Sequence, residues 1–179
     1  MDAQSVMIAS RLARVAEMRG EIARLREENS RLQAENAALR SHAALGVLAL
    51  GDLASLAPGA RMVLVDGWNL ILGAGGGETV LGGRVHSPAA LTSAAGTYLA
   101  SHENDFVWIV FDGKEENAQE AARLRVSYTG GEGVQRADRF ILDFVRAASF
   151  RSLSGKIAVL SRDKKLLKEV RRLGAAVLS

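Results

Sequence analysis

The sequence has no cysteine and only three histidines among its 179 residues. Without cysteine, the chain cannot form a disulfide framework, a thiolate metal site or a cysteine nucleophile. Zinc could be bound only by histidine and carboxylate ligands, and His42, His86 and His102 lack the His-x-x-x-His spacing of common zinc sites. A zinc site of the usual kinds is therefore not expected.

The sequence also lacks a long uninterrupted apolar run. Its most apolar window, AALGVLALGDLASLA, contains Asp52 and two glycines and is too short to span a bilayer. The first residues, MDAQSVMIASRLARV, do not combine a basic start with an apolar core, as a signal peptide does. These features predict a soluble cytoplasmic protein that does not associate with a membrane.

The basic residues are mostly arginines. The formal net charge is +3, with 18 arginines against 5 lysines. The planar guanidinium group suits bidentate contact with phosphate or carboxylate. The bias is therefore compatible with a nucleic-acid partner, although a GC-rich genome would explain it equally well.

Residues 1–42 carry a seven-residue repeat. The a positions are Ile8, Val15, Ile22, Asn29 and Asn36, and the d positions are Met18, Leu25, Leu32 and Leu39. β-Branched residues at a with leucine at d favour a parallel two-stranded coiled coil, and a buried asparagine at a fixes its register. The repeat predicts a homodimer formed through this helix; an amphipathic helix folded back on the rest of the chain is the alternative. Residues 43–60 are expected to form a linker or a short helix.

From residue 61 to residue 179, apolar runs of strand length alternate with segments of helical character. The predicted strands are MVLVD, FVWIVFD, LRVSYT, KIAVLS and AAVLS. Ser87-Pro88 is a favourable N-cap and first residue for a helix that runs to about His102, and Gly174 is placed to end the last helix. Alternation of this kind predicts one α/β domain with a parallel sheet covered on both faces.

Three of the predicted strands end at or near an aspartate. Asp66 ends VLVD, Asp112 ends IVFD, and Asp163 follows AVLS by two residues. Asp138 lies near the start of a helix that follows another strand. Ligand sites in open parallel sheets lie outside the carboxyl ends of the strands, so these four acids are expected to meet at one edge.

A cluster of four carboxylates has a chemical consequence. The charges repel and raise one another's pKa unless a cation neutralises them. Mg²⁺ and Mn²⁺ bind such oxygen ligands and can activate a water for attack on a phosphodiester. The cluster thus predicts metal-dependent phosphodiester hydrolysis, whereas each aspartate taken alone could simply stabilise a helix N-terminus.

The motifs around these acids resemble a known family. VDGWNLI is similar to the first motif of the NYN branch of PIN-like ribonucleases, above all its YacP-like members. VFDG, VSYTGGEGVQRADRFI and VLSRDKKLLKEVRRLGAAVLS are similar to the later motifs in order and spacing. The resemblance implies a PIN-like three-layer α/β/α sandwich with a central, mainly parallel sheet over residues 61–179. It also implies a metal-dependent endoribonuclease that uses Mg²⁺ or Mn²⁺.

The same resemblance implies roles for individual residues. Asp66, Asp112, Asp138 and Asp163 would be the catalytic metal ligands, Asn69 would orient Asp66 or a phosphate, and Ser161 takes the position of a small hydroxyl residue before the last acid. Arg139 is a departure, because YacP-like sequences tend to have an acid there. That departure gives weight to a non-catalytic RNA-binding or protein-interaction adaptor on the same fold.

Basic residues on the predicted loops and helix starts are candidates for contact with RNA phosphates. They are Arg84, Arg136, Arg139, Arg162, Lys164 and Lys165, whereas Lys168, Arg171 and Arg172 are expected to form a solvated face. The predicted partners are therefore RNA and a second copy of the chain. The coiled coil could also attach the domain to a ribosome or another RNA-containing assembly, or could itself be the functional part.

Overall fold

The computed structural model describes residues 3–73, 79–113, 119–130 and 136–178. The middle of the glycine-rich loop and the GEGVQ segment before Arg136 lie outside these ranges. The helices are α1 (Ala3–Ser55), α2 (Gly67–Gly73), α3 (Pro88–Ser101), α4 (Arg136–Phe150) and α5 (Lys164–Arg172). The strands are β1 (Met62–Asp66), β2 (Thr79–Val80), β3 (Gly83–Arg84), β4 (Phe106–Phe111), β5 (Gln119–Ala121), β6 (Leu124–Tyr128), β7 (Ile157–Leu160) and β8 (Ala176–Leu178).

Six strands form one sheet in the order β5-β6-β4-β1-β7-β8. All neighbouring pairs are parallel except β5 and β6, which are antiparallel. β1 lies at the centre, where Leu64 is opposite Trp108 of β4 and Val159 of β7. The prediction of a mainly parallel sheet is confirmed, whereas β5 and the β2–β3 hairpin were not predicted from the sequence.

Helices cover both faces of the sheet. Alternate residues of each central strand enter two separate cores: in β1, Met62 and Leu64 face one core and Val63 and Val65 face the other. The first core contains residues of α4, α5 and the end of α1, and the second contains residues of α2 and α3. A strand that is buried on both faces must be apolar throughout, and this explains the continuous apolar runs. The predicted α/β/α sandwich is confirmed.

The helix ends follow the predicted capping. Ser87 caps α3, since its hydroxyl accepts a hydrogen bond from the backbone N–H of Ala90, and Pro88 is the first helical residue. Gly174 follows α5 with a φ of +88°, a conformation that glycine adopts without strain.

The end of α1 belongs to the sandwich. The chain divides into two compact units, one up to Arg40 and one from Ser41 to Ser179, although α1 is continuous from Ala3 to Ser55. Ala49 and Leu53 are fully buried in the core beside α4. The segment predicted as a linker or short helix is therefore helical as far as Ser55, and the folded core includes residues upstream of Arg61.

In the N-terminal unit, the heptad stripe is open to solvent. The apolar side chains at its a and d positions are 39–50% exposed; these are Val15, Met18, Ile22, Leu25 and Leu32. Ile8, Asn36 and Leu39 lie outside the described side chains. The coiled-coil homodimer stays a prediction. Among the described residues, no helix is long and apolar enough to cross a membrane.

Candidate active site

The four predicted aspartates meet at the carboxyl edge of the sheet. Asp66 is the last residue of β1, Asp112 directly follows β4, Asp163 caps the helix after β7, and Asp138 is in the first turn of α4. β4 and β7 lie on opposite sides of β1. The order in which the chain adds strands to the sheet therefore reverses at β1. Such a switch point opens a crevice at the carboxyl ends of the strands.

Asp66 is buried, with 4% of its surface exposed. The hydroxyl of Ser161 donates a hydrogen bond of 2.9 Å to its Oδ2, and the backbone N–H of Asn69 donates to its Oδ1 at 3.4 Å. Its carboxyl group also interacts with that of Asp138. Burial raises the pKa of Asp66 to about 7; the Ser161 hydrogen bond opposes this rise and the charge of Asp138 adds to it.

Asp138 is the second member of this carboxyl pair. Burial raises its pKa, and the charges of Asp163 and Asp112 raise it further, whereas the interaction with Asp66 lowers it. When no cation lies between Asp66 and Asp138, the ionised form of both carboxyls is therefore disfavoured.

Asp112 is tied to the helix that carries Asp138. Its Oδ1 accepts hydrogen bonds from the backbone N–H of Ala137 at 2.5 Å and from the hydroxyl of Thr129 at 3.3 Å. Ala137 is the second residue of α4, so this carboxylate satisfies one of the free N–H groups of the first turn. Thr129 directly follows β6 and is buried, and its role was not predicted from the sequence. A hydroxyl residue at the end of a strand next to β4 was the available signal.

Ser161 connects the acids of β1 and α5. Its hydroxyl donates to Asp66 and accepts the backbone N–H of Asp163 at 3.0 Å. Asp163 in turn accepts from the N–H groups of Lys165 and Leu166 through its Oδ1, at 2.6 and 3.2 Å. Asp163 is thus both an N-cap and an acid at the edge of the cluster, and the capping role offered as its alternative explanation is real.

Asn69 joins helix α2, which directly follows Asp66, to the loop between β7 and α5. Its side-chain oxygen accepts the backbone N–H of Arg162 at 2.6 Å, and the guanidinium group of Arg162 donates to the carbonyl of Gly73 at the end of α2. The Asn69 side chain therefore holds the β7–α5 loop, and its backbone N–H is the group that contacts Asp66.

The turn after Asp66 requires glycine. A Cβ atom on Gly67 would lie 2.2 Å from the ring of Phe111, so no larger residue fits without displacing that ring. Trp68 packs edge-on against the same ring, and its indole N–H donates to the carbonyl of Asp112 at 2.6 Å. The first motif is thereby locked to the end of β4.

Arg139 does not point into the acid cluster. Its side chain is 84% exposed and pairs at 4.0 Å with Asp143, which also binds Arg146 at 2.9 Å. The guanidinium group of Arg136 donates to the carbonyl of Gly130, Arg84 is exposed on β3, and Lys164 is exposed at the start of α5. Within the described ranges, neither Arg139 nor Lys164 forms an ion pair with any of the four acids.

The four acids are not arranged as a complete metal-binding site. Among the residues that the structure describes, no group of three or more histidine, aspartate or glutamate side chains is arranged to hold a metal ion. The donor chemistry nevertheless fits a hard divalent cation, because every candidate ligand atom is a carboxylate oxygen. The raised pKa of both Asp66 and Asp138 indicates where positive charge is needed.

The chain is similar to one known protein family and to a solved structure. The family model of the YacP-like NYN domain matches residues 63–179. Among solved structures, the chain matches Rae1 (YacP) from Bacillus subtilis, solved as a tryptophan-to-leucine mutant. The identity is 20%, the match covers 65% of this chain and 68% of that chain, and the TM-score is 0.41. No curated protein sequence matches significantly.

Proposed function

This chain belongs to the YacP-like NYN domain family, a group of PIN-like, nuclease-type domains, and on that premise we propose that it is a metal-dependent endoribonuclease. The observation that carries the proposal is the buried carboxyl of Asp66, which interacts with the half-buried carboxyl of Asp138 at the carboxyl edge of the sheet. Burying two acids against each other destabilises a fold, so the arrangement is best explained by a ligand that supplies positive charge.

The residues of the acid cluster have different proposed roles. Asp66, Asp112, Asp138 and Asp163 would hold Mg²⁺ or Mn²⁺; when bound, the ion activates water and stabilises negative charge on the phosphate. Ser161 and the backbone N–H of Asn69 orient the carboxylate of Asp66. Both Asp66 and Asp138 must be ionised to act as ligands, so raising the pH through about 7 favours the active form.

RNA is the proposed substrate. The proposed phosphate contacts are the exposed Arg84, Arg139 and Lys164 and the half-buried Arg136 and Arg162. Arg139 would act from outside the cluster, because its side chain is directed to solvent. Attack by water would leave a 5′-phosphate and a 3′-hydroxyl.

The test is incubation of the pure protein with mixed RNA and Mn²⁺, beside the Asp66→Asn and Asp143→Asn variants. We expect cleavage by the wild type and by Asp143→Asn, whose carboxylate binds only exposed arginines. We expect no cleavage by Asp66→Asn. Cleavage that survives Asp66→Asn would remove Asp66 from the mechanism.

A non-catalytic RNA-binding or protein-interaction adaptor is the second candidate. It is favoured by the absence of a three-ligand cage among the described residues. A wild-type protein that binds RNA or a protein partner but cuts no RNA in Mg²⁺ or Mn²⁺ would support the adaptor over the nuclease.

We also propose that α1 forms a parallel coiled coil with a second copy. The exposed apolar stripe supports this, and the same helix could attach the domain to a ribosome or another RNA-containing assembly. Sedimentation should give a dimer for the wild type and a monomer for the variant with Ile22→Asp and Leu25→Asp. A control with Ala23→Asp and Arg24→Asp, outside the stripe, should remain a dimer. A monomeric wild type would contradict the proposal.

A further inference from the structure

Helix α5 presents an exposed face made only of cations. Lys164, Lys165, Lys168, Arg171 and Arg172 are all exposed, whereas Leu166 and Val170 on the other side are buried in the core. At 3.6 residues per turn, the five cations fall within an arc of about 120°. We call this arc the basic face of α5. It was predicted to be simply solvated beyond Lys165.

The basic face is almost free of acidic partners. Glu169 lies at its border and pairs with Arg172 at 2.9 Å. Within the described residues, no ion pair involves Lys164, Lys165, Lys168 or Arg171. Helix α4 is different, because Asp143 pairs there with both Arg139 and Arg146. Charges of one sign on a short helix repel one another, so the arrangement on α5 needs an anionic partner to be favourable.

The basic face begins at the acid cluster. Asp163, which caps α5, contributes to the electrostatics of Asp138 and accepts the N–H of Lys165. From Lys164 to Arg172 the helix rises about 12 Å, with cations at intervals of about 6 Å between Lys164, Lys168 and Arg172. A chain of phosphates that passes the acid cluster would therefore meet successive positive charges along α5.

We propose that the basic face of α5 binds the sugar–phosphate backbone of the RNA strand next to the cleaved bond. This inference rests on the proposed function, since it takes the acid cluster as the place of cleavage. The contact is electrostatic and independent of base sequence, because lysine and arginine on this face meet phosphates rather than base edges. An anionic membrane is a poorer fit, since a helix that binds membranes inserts an apolar face and the apolar face of α5 is buried in the core.

The test measures binding of a fluorescent single-stranded RNA to the full chain carrying Asp66→Asn, so that the RNA is not cut. Adding Lys168→Glu should weaken binding about tenfold at moderate salt. It should also reduce the slope of log K against log[salt] by about 0.7 for the lost phosphate contact. Glu169→Gln should tighten binding by a few-fold, because it removes the single acid at the border of the face.

The matched control is Arg151→Glu, the same change of charge at an exposed residue just beyond the far end of α4. It should leave both the affinity and the salt slope unchanged, and thermal melting should show that all variants remain folded. Equal losses from Lys168→Glu and Arg151→Glu would overturn the proposal, since they would reflect net charge alone.

Two further outcomes separate this inference from the proposed function. If the wild type cleaves RNA but Lys168→Glu binds it normally, the proposed RNA contact of α5 is wrong and the proposed nuclease activity is supported. If the wild type cleaves nothing but Lys168→Glu weakens RNA binding, the proposed nuclease activity is wrong and the basic face binds RNA away from any cleavage site. Binding to vesicles with phosphatidylserine that depends on Lys168, with unchanged RNA binding, would overturn the proposal in favour of a membrane.

Discussion

The two ends of the parallel sheet each bury an aspartate, but they surround it differently. Asp66 at the carboxyl end is 4% exposed and Asp105 at the amino end is 5% exposed. Asp66 meets the hydroxyl of Ser161 and the carboxyl of Asp138. Asp105 meets the guanidinium group and backbone N–H of Arg61, at 3.4 and 2.9 Å, and the hydroxyl of Tyr98 at 2.7 Å.

At the amino end, the carboxylate of Asp105 accepts hydrogen bonds from Arg61 and Tyr98. Burial raises the pKa of Tyr98 to about 12, and the hydrogen bond to Asp105 adds to the rise. Arg123 nearby donates to the carbonyls of Leu99, His102 and Asp105 and closes the same corner. This network joins the starts of β1, β4 and β6 and needs no ligand.

The contrast shows which buried acid is structural and which is functional. A charge that the fold itself neutralises stabilises the fold, whereas a buried carboxyl that faces another carboxyl lowers stability until something binds. Asp66 and Asp105 are therefore equally buried but have opposite effects on stability. The difference lies in the partners, and substitutions at the two ends should separate activity from stability.

The largest expected difference concerns cleavage. Asp138→Asn removes a proposed ligand and should lower kcat by about 100-fold or more, since the loss of one group that stabilises transition-state charge costs that much. Asp105→Asn should change kcat by less than about threefold but lower the free energy of unfolding by about 1–3 kcal/mol. Cleavage rates and urea unfolding of both variants measure this. A loss of activity in the still-folded Asp105→Asn variant would contradict a purely structural role for Asp105.

The next prediction concerns stability against pH without metal. Asp66 has a pKa of about 7 in the folded chain and about 3.8 when unfolded. Between pH 4 and pH 7 the unfolded chain binds fewer protons, so the free energy of unfolding falls as the pH rises through this window. Asp66→Asn should remove that fall. It should therefore equal the wild type near pH 4 and exceed its stability by a few kcal/mol at pH 8, in EDTA.

Urea unfolding at a series of pH values measures this difference. Asp143→Asn is the control, because that carboxylate is exposed and paired with arginines. Its profile should stay parallel to that of the wild type. If Asp66→Asn is destabilising at pH 8, then groups of the fold stabilise the carboxylate of Asp66, as they do that of Asp105.

The sequence was sufficient to predict the sandwich and the gathering of the acids. The strands are buried on both faces, so they are continuous apolar runs, and the carboxyl ends of parallel strands share one edge. The helical course of residues 43–55 was less clear, because Gly46 and Gly51 disfavour a helix and a short helix is marginal without the packing that Ala49 and Leu53 make against the core. β5 was missed because three residues carry too little pattern, and its pairing is supplied by β6.

The contacts within the site depend on three-dimensional register, and sequence spacing does not determine them. Arg139 follows Asp138 directly, yet one residue is about 100° around a helix, so the arginine points to solvent while the acid faces Asp66. The bond from Asn69 to Arg162 joins residues 93 positions apart. Thr129 and Ala137 meet on Asp112 only because β6 lies beside β4.

Thr129 gives the smallest predicted effect and the finest test of the comparison. Thr129→Val removes one of two hydrogen bonds to Oδ1 of Asp112, and the backbone N–H of Ala137 still holds the carboxylate, so we expect a loss of only about tenfold in kcat. Calorimetry should show weaker Mn²⁺ binding, and Thr129→Ser should restore both properties. Thr92→Val, which removes a hydroxyl bonded to a carbonyl within α3, should change neither. If Thr129→Val lowers stability but leaves Mn²⁺ binding intact, Thr129 serves the fold, as the network around Asp105 does, and positions no ligand.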